Sequence, residues 1–144
     1  MRLDERDARR LLGEARVARL ATVTSAGSPH IVPMTFALDG DRIYSTVDAK
    51  PKTTRSLRRL ANILANPQVA MLADRYSEDW AELWWVRVDG NAAVLAEPGA
   101  MARPIALLQE RYLQYRQTPP EGPVIAIEVQ RWTGWAASPP GVGS

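Results

Sequence analysis

The sequence predicts a mainly β protein, an antiparallel barrel with flanking helices. Three observations carry that prediction. Short alternating apolar stretches are separated by tight turns, as in Val17–Thr24, Ser25–Pro29 and Ile31–Leu38. Helical spacing is confined to a few segments. The strands follow one another through hairpin-length links, without the regular strand–helix alternation of a doubly wound sheet.

Taken in order, Leu3–Leu12 reads as a short helix, with Asp4 as its cap and Gly13 as its stop. Val17–Thr24 and Ile31–Leu38 form a hairpin, with Val32, Met34, Phe36 and Leu38 on one face of the second strand. Pro33 has no N–H to give a ladder, which points to an edge position or a bulge. Asp39–Asp41 turns the chain into a third strand, Arg42–Val47. In Thr53–Ala65, Leu57, Leu60, Ala61 and Leu64 recur at helical spacing, while Arg55, Arg58, Arg59 and Asn62 form a polar face. Asn66-Pro67 closes that helix.

Val69–Ala73 is a compact strand, and Ala81–Asp89 is another, rich in Leu, Trp and Val. Gly90-Asn91 interrupts, so Ala92–Leu95 is either a bent continuation or the next strand. Pro98–Tyr115 contains a longer helix, Val124–Val129 a strand, and Trp132–Ala136 a short final segment. The expected organisation is one domain over residues 1–137 with an N-terminal helix, followed by a flexible tail over 138–144.

Composition removes several function classes. Cys is absent, which excludes disulfides and thiolate catalysis, and the lone His30 leaves no room for a paired-histidine metal motif. No metal is expected. Met1–Arg10 is charged and no long apolar run follows, so neither a signal peptide nor a membrane helix is expected, and cytoplasmic residence is the default. The net charge of +2 is too small for a general nucleic-acid binder. Its distribution is more telling: Arg42, Lys50, Lys52, Arg55, Arg58 and Arg59 face only Asp48 over that stretch, which suits a discrete anionic ligand.

The strongest local feature is Lys50-Pro51-Lys52-Thr53-Thr54-Arg55. Phosphate recognition needs cations, hydroxyls and free backbone N–H groups converging on one point, and a helix beginning near Thr53 supplies the last. A solvated basic face with Thr53 as a simple cap explains the same residues equally well, and both readings stand at this point. No GxxxxGK[ST] or GxGxxG loop accompanies the segment. His30 has no assignable carboxylate partner, and Tyr44 reads first as core. No catalytic side chain is assigned. Five tryptophans are a heavy load, and Trp84-Trp85 on a strand must point to opposite faces, one toward core and one toward a pocket or interface.

The order and spacing of these landmarks resemble the pyridoxamine-phosphate-oxidase-like, flavin- and deazaflavin-binding split barrels. The closer resemblance is to their bacterial branch of coenzyme F420-dependent enzymes. It rests on Leu20-Ala21-Thr22, Gly27-Ser28-Pro29 and Pro33, on Lys50–Arg55 with Leu57-Arg58-Arg59, on Asn66-Pro67, on Leu83–Gly90 and on Gly134-Trp135. The resemblance implies a homodimeric split β-barrel with its cofactor sites at the subunit interface. It places the cofactor phosphate at Lys50, Lys52, Thr53, Thr54 and Arg55. Pro33, Met34, Thr35 and Phe36 would border the tricyclic ring, and Trp85 or Trp135 would close the substrate side. The implied activity is hydride transfer between F420 and a small organic acceptor. FMN on the same fold, or cofactor binding without turnover, is the alternative.

Overall fold

The computed structural model describes residues 1–47 and 54–140, with the side chains of residues 54–57 left out of the description. Helix α1 (Glu5–Glu14) precedes strands β1 (Ala18–Val23), β2 (Pro29–Met34), β3 (Ala37–Asp39) and β4 (Arg42–Thr46). Helix α2 (Thr54–Ala65) follows, then β5 (Gln68–Arg75) and β6 (Trp84–Leu95). Helices α3 (Pro98–Arg111) and α4 (Leu113–Gln117) lead into the last strand, β7 (Val124–Ala136). One mixed-length antiparallel sheet runs in the order β2-β1-β5-β6-β7-β4-β3. It is the expected mainly antiparallel barrel with flanking helices.

The sheet bends because β6 and β7 are long and serve two halves. Trp84–Asp89 pairs with Arg131–Ala136, and Gly90–Leu95 pairs with Val124–Val129, with the register shifting between Asp89 and Gly90. Gln130 is the extra residue of that bulge, which kinks the ribbon and sharpens its twist. The first half joins β5, β1 and β2, while the second half joins β4 and β3. Gly90 sits at the crossing, where a Cβ would lie 2.4 Å from the Glu128 carbonyl oxygen. The two apparent final strands are therefore one, and Gly90-Asn91 is a bend inside a continuous strand.

The core lies between the concave sheet face and α1 and α2. Leu12, Leu20, Phe36, Ile43, Met71, Val86, Val88 and Ile127 are buried there, and each fully buried aliphatic or aromatic side chain stabilises by about 1.5–3 kcal/mol. The alternation expected of β2 holds, with Val32, Met34, Phe36 and Leu38 all on the core side. Pro33 lies on the edge strand β2, where its missing N–H costs nothing. The stretch Ile31–Leu38 is not one strand, however. The chain leaves β1 after Met34 and joins β4 from Ala37, and side chains take over the polar groups of Thr35 and Phe36 between them.

Helix boundaries shift for local reasons. Asp4 caps α1 as expected, its carboxylate accepting the Asp7 N–H at 2.8 Å, but the helix runs through Gly13 to Glu14, with Ala15 as its C-cap. Arg111 closes that end by donating to the carbonyls of Gly13 (2.7 Å) and Ala15. The long helix expected over Pro98–Tyr115 breaks at Tyr112, which is extended (φ −125°) and turns its hydroxyl toward Phe36. Of the expected tail, Ser138 is fixed by its hydroxyl to the Ala81 carbonyl at 2.8 Å.

Candidate cofactor and substrate site

The link between β2 and β3 is held by side chains at four of its polar atoms. The Ser45 hydroxyl donates to the Thr35 carbonyl at 2.6 Å, and the Thr35 hydroxyl shares a hydrogen bond of 2.7 Å with Tyr115. The Tyr112 hydroxyl accepts the Phe36 N–H at 3.1 Å and lies 3.0 Å from the Phe36 carbonyl. Tyr112 and Tyr115 pack edge to face, their ring centroids 5.6 Å apart. The α3–α4 corner thus clamps residues 35 and 36 to the barrel.

Among the strand residues proposed to border a ring, the structure separates two pairs. Met34 and Phe36 are buried in the core, Phe36 completely, so those two positions offer backbone rather than side chain. Pro33 is exposed, and Thr35 is half-buried with its hydroxyl turned to Tyr115. Lys50, Lys52 and Thr53 lie outside the described residues. Thr54 and Arg55 form the first turn of α2, and their side chains also lie outside the description.

The polar face of α2 divides by depth. Arg58 is exposed, Arg59 is half-buried, and Asn62 is buried with its amide donating to the buried Thr22 hydroxyl at 3.0 Å. Burial holds the Arg59 guanidinium below its ordinary pKa, opposed by the nearby Tyr115. Its Nε is shielded and has no hydrogen-bond partner among the described residues.

The tryptophans follow strand parity. Trp84 and Trp132 pack against the core, whereas Trp85 and Trp135 lie directly opposite one another on β6 and β7 and share the outer sheet face. Arg87 and Asp89 continue that face, with Arg87 Nε donating to the Asp89 carboxylate at 3.2 Å. Thr35 belongs to the β2–β3 link, and Trp85 and Trp135 to this outer face. Tyr44 is buried beside Met101 and Val124, in line with its core reading. His30 is half-buried, and its Nδ1 is shielded without a partner among the described residues.

Sequence reasoning missed Tyr112 and Tyr115. Their i, i+3 spacing was visible, but it reads as one stripe of a continuous helix. Among the described residues, no group of three His, Cys, Asp or Glu side chains is placed to hold a metal. No helix among them is long and apolar enough to cross a membrane.

A bent antiparallel barrel with a cationic helix and aromatic walls defines the class of split-barrel, flavin-binding folds. The chain belongs to the pyridoxamine 5'-phosphate oxidase family, whose N-terminal domain pattern matches residues 5–136. A 5a,11a-dehydrotetracycline/5a,11a-dehydrooxytetracycline reductase from Streptomyces rimosus is 32% identical over 87 residues, 60% of each chain. The match therefore spans about 60% of the length of that curated relative. A conserved hypothetical protein from Mycobacterium tuberculosis superposes with a TM-score of 0.76 at 22% identity, covering 94% of this chain and 86% of the other. An FAD-binding protein from Mesorhizobium loti gives 0.70 at 20% identity, covering 93% and 95%. At those identities the two structures show the shared fold.

Proposed function

We propose that the protein is an oxidoreductase that binds a phosphorylated flavin-type cofactor, FMN foremost, and serves hydride transfer to a small organic acceptor. The observation that carries the reading is the start of α2 at Thr54, directly after Lys50-Pro51-Lys52-Thr53, in a chain of this family. The first turn of a helix offers N–H groups that have no intrahelical partner and a dipole that favours an anion. Lysine and threonine at its entrance add the donors that a phosphate needs. The reductase from Streptomyces rimosus lends support to a small organic acceptor.

A second reading is coenzyme F420, whose oligoglutamyl tail adds carboxylates to the phosphate. It is favoured by the three arginines Arg55, Arg58 and Arg59 within about one turn of α2, more cations than one phosphate requires.

Either cofactor, when bound, supplies the two-electron chemistry. The chain's own residues bind, orient and exclude water. On this reading, Thr54 and Arg55 with the preceding lysines hold the phosphate, and the clamped Pro33–Phe36 segment borders the ring with the Thr35 hydroxyl and backbone groups. Trp85 and Trp135 supply an aromatic wall, completed by a second copy of the chain. No protein nucleophile is required, so the scarcity of His and the absence of Cys are compatible with turnover. The reading places the protein in the cytoplasm.

Parallel titration of the purified protein with FMN and F420, followed by ligand fluorescence, tests this. Micromolar binding of at least one is expected, and binding of neither overturns both readings.

A further inference from the structure

The second half-sheet turns Ile43, Ile125 and Ile127 to the core and Tyr44, Val124 and Ala126 to α3. On that α3 side lies a cavity of about 470 Å³, bounded by β4, β7, β6 and the start of α3, and every residue lining it is described. It is remote from α2, which packs through Leu60 and Ile63 on the core side. It is also apart from Trp85 and Trp135, which pair in the first half-sheet.

Strand register builds the cavity in two rows. Arg42, Glu128 and Asn91 stand side by side on three neighbouring strands, and Tyr44, Ala126 and Ala93 form the next row. The two alanines are the reason for the space, since methyl groups on adjacent strands leave a gap that larger side chains would close. Helix α3 is fixed above it in two ways. Met101 packs with Tyr44 and Val124, and Arg103 grips both oxygens of Asp39 at 2.8 and 3.0 Å. Ala100, just before Met101, closes one wall. An apolar floor with a few polar groups at one edge, at this volume, is the make-up of a small-molecule pocket.

The polar edge carries opposite charges. Arg42 and Glu128 are directly opposite in register, both exposed and both lining the cavity, and they form no ion pair with one another. Asp39, the neighbour of Arg42 on β3, already holds Arg103 through both oxygens. Adjacent strands lie about 5 Å apart, so the edge presents a cation and an anion one strand spacing from each other. That pattern is complementary to a molecule with a carboxylate and an ammonium on one carbon. Asn91 adds an amide donor and acceptor beside Glu128.

We propose that this cavity binds a free α-amino acid with an apolar side chain. Its carboxylate meets Arg42, its ammonium meets Glu128, and its side chain lies over Ala126 and Ala93. The site goes beyond the cofactor reading and does not depend on it.

Titration of ¹⁵N-labelled protein with L-phenylalanine tests this, with the backbone amides of Ala93, Ala126 and Glu128 as reporters. Saturable shifts of all three are expected at millimolar ligand or below. 3-Phenylpropionate lacks the ammonium and phenethylamine lacks the carboxylate, and each is expected to bind about fivefold more weakly, as for charge pairs at an exposed edge. Arg42→Gln and Glu128→Gln are expected to weaken L-phenylalanine by the same factor. Ala93→Leu, at an exposed position, fills the floor and is expected to weaken it at least tenfold, with unchanged amide dispersion elsewhere showing that the fold is kept. Reporter amides left unmoved by L-phenylalanine, L-leucine and L-tryptophan alike overturn the site. Equal affinity for L-phenylalanine and its two singly charged analogues, or full affinity in both charge variants, overturns recognition of the amino-acid head group and with it the proposal.

Discussion

Tyr112 shows how one hydroxyl positions a segment of main chain. It receives the Phe36 N–H at 3.1 Å, and it lies 2.9 Å from the Arg16 carbonyl and 3.0 Å from that of Phe36. Its ring also carries the Arg16 guanidinium 5.2 Å from the centroid. Tyr112→Phe keeps the ring and removes the hydroxyl, leaving a partly buried N–H without its acceptor. The expected loss is about 1–3 kcal/mol, read as a lower urea midpoint with an unchanged slope. An unchanged midpoint would show that water replaces the hydroxyl at no cost. At this scale the sequence was legible where parity or charge decided the outcome. Trp84 and Trp85 diverge as a strand requires. The grading of Arg58, Arg59 and Asn62 from exposed to buried was not legible. It depends on how α2 is rolled against β1, which the Asn62–Thr22 hydrogen bond and the core packing of Ile63 and Leu60 set together.

Among elements, the β6–β7 ribbon decides the shape of the barrel. A bulge keeps both strands continuous while turning them through the junction of the two half-sheets. Local sequence shows Gly90-Asn91 as an interruption, because glycine weakens a strand in isolation. The structure gives the reason for the glycine: the Glu128 carbonyl passes where a Cβ would stand. Gly90→Ala must move backbone at the centre of the fold, and a loss of about 2–4 kcal/mol is expected. Differential scanning calorimetry checks it, and a melting temperature within a degree of the parent would refute the steric account. The strand periods, the Asp4 cap and the edge placement of Pro33 were legible because each rests on neighbours in the chain. The break at Tyr112 was not, since it arises from a partner on β3's approach that is far away in sequence. The residues over 48–53, which carry much of the basic motif, lie outside the described structure, so that part of the candidate site still rests on sequence.

For the whole molecule, the outer sheet face poses the main question. Ile31 is 65% exposed, Leu72 39% and Trp135 38%, and the registers place all three on the convex side of β2-β1-β5-β6-β7. Pro33, Ala21 and Ala70 lie between them, so the apolar surface is shared across strands rather than scattered. Nothing within the chain covers it among the described residues. Burying each large side chain against a second copy would return about 1.5–3 kcal/mol, against an association cost of about 4–15 kcal/mol. Three side chains alone therefore leave a marginal dimer, and the flanking Arg19 would have to find a partner across the interface, while Arg87 and Asp89 keep one another. The proposed homodimer thus predicts association that weakens sharply with one charge placed at its centre. Leu72→Glu puts an acid between Arg19 and Arg87 in register, so internal pairing could satisfy it; Ile31→Glu, opposite Ala21 and without that cation pair, is the cleaner probe. Sedimentation velocity should show the parent as a dimer at micromolar concentration and Ile31→Glu shifted toward a 15.9 kDa monomer with an unchanged far-ultraviolet spectrum. Cofactor affinity should fall with it, because the aromatic wall of each site would then lack the second copy. A parent that sediments as a monomer at every concentration, yet binds FMN or F420, would place a complete site within one chain.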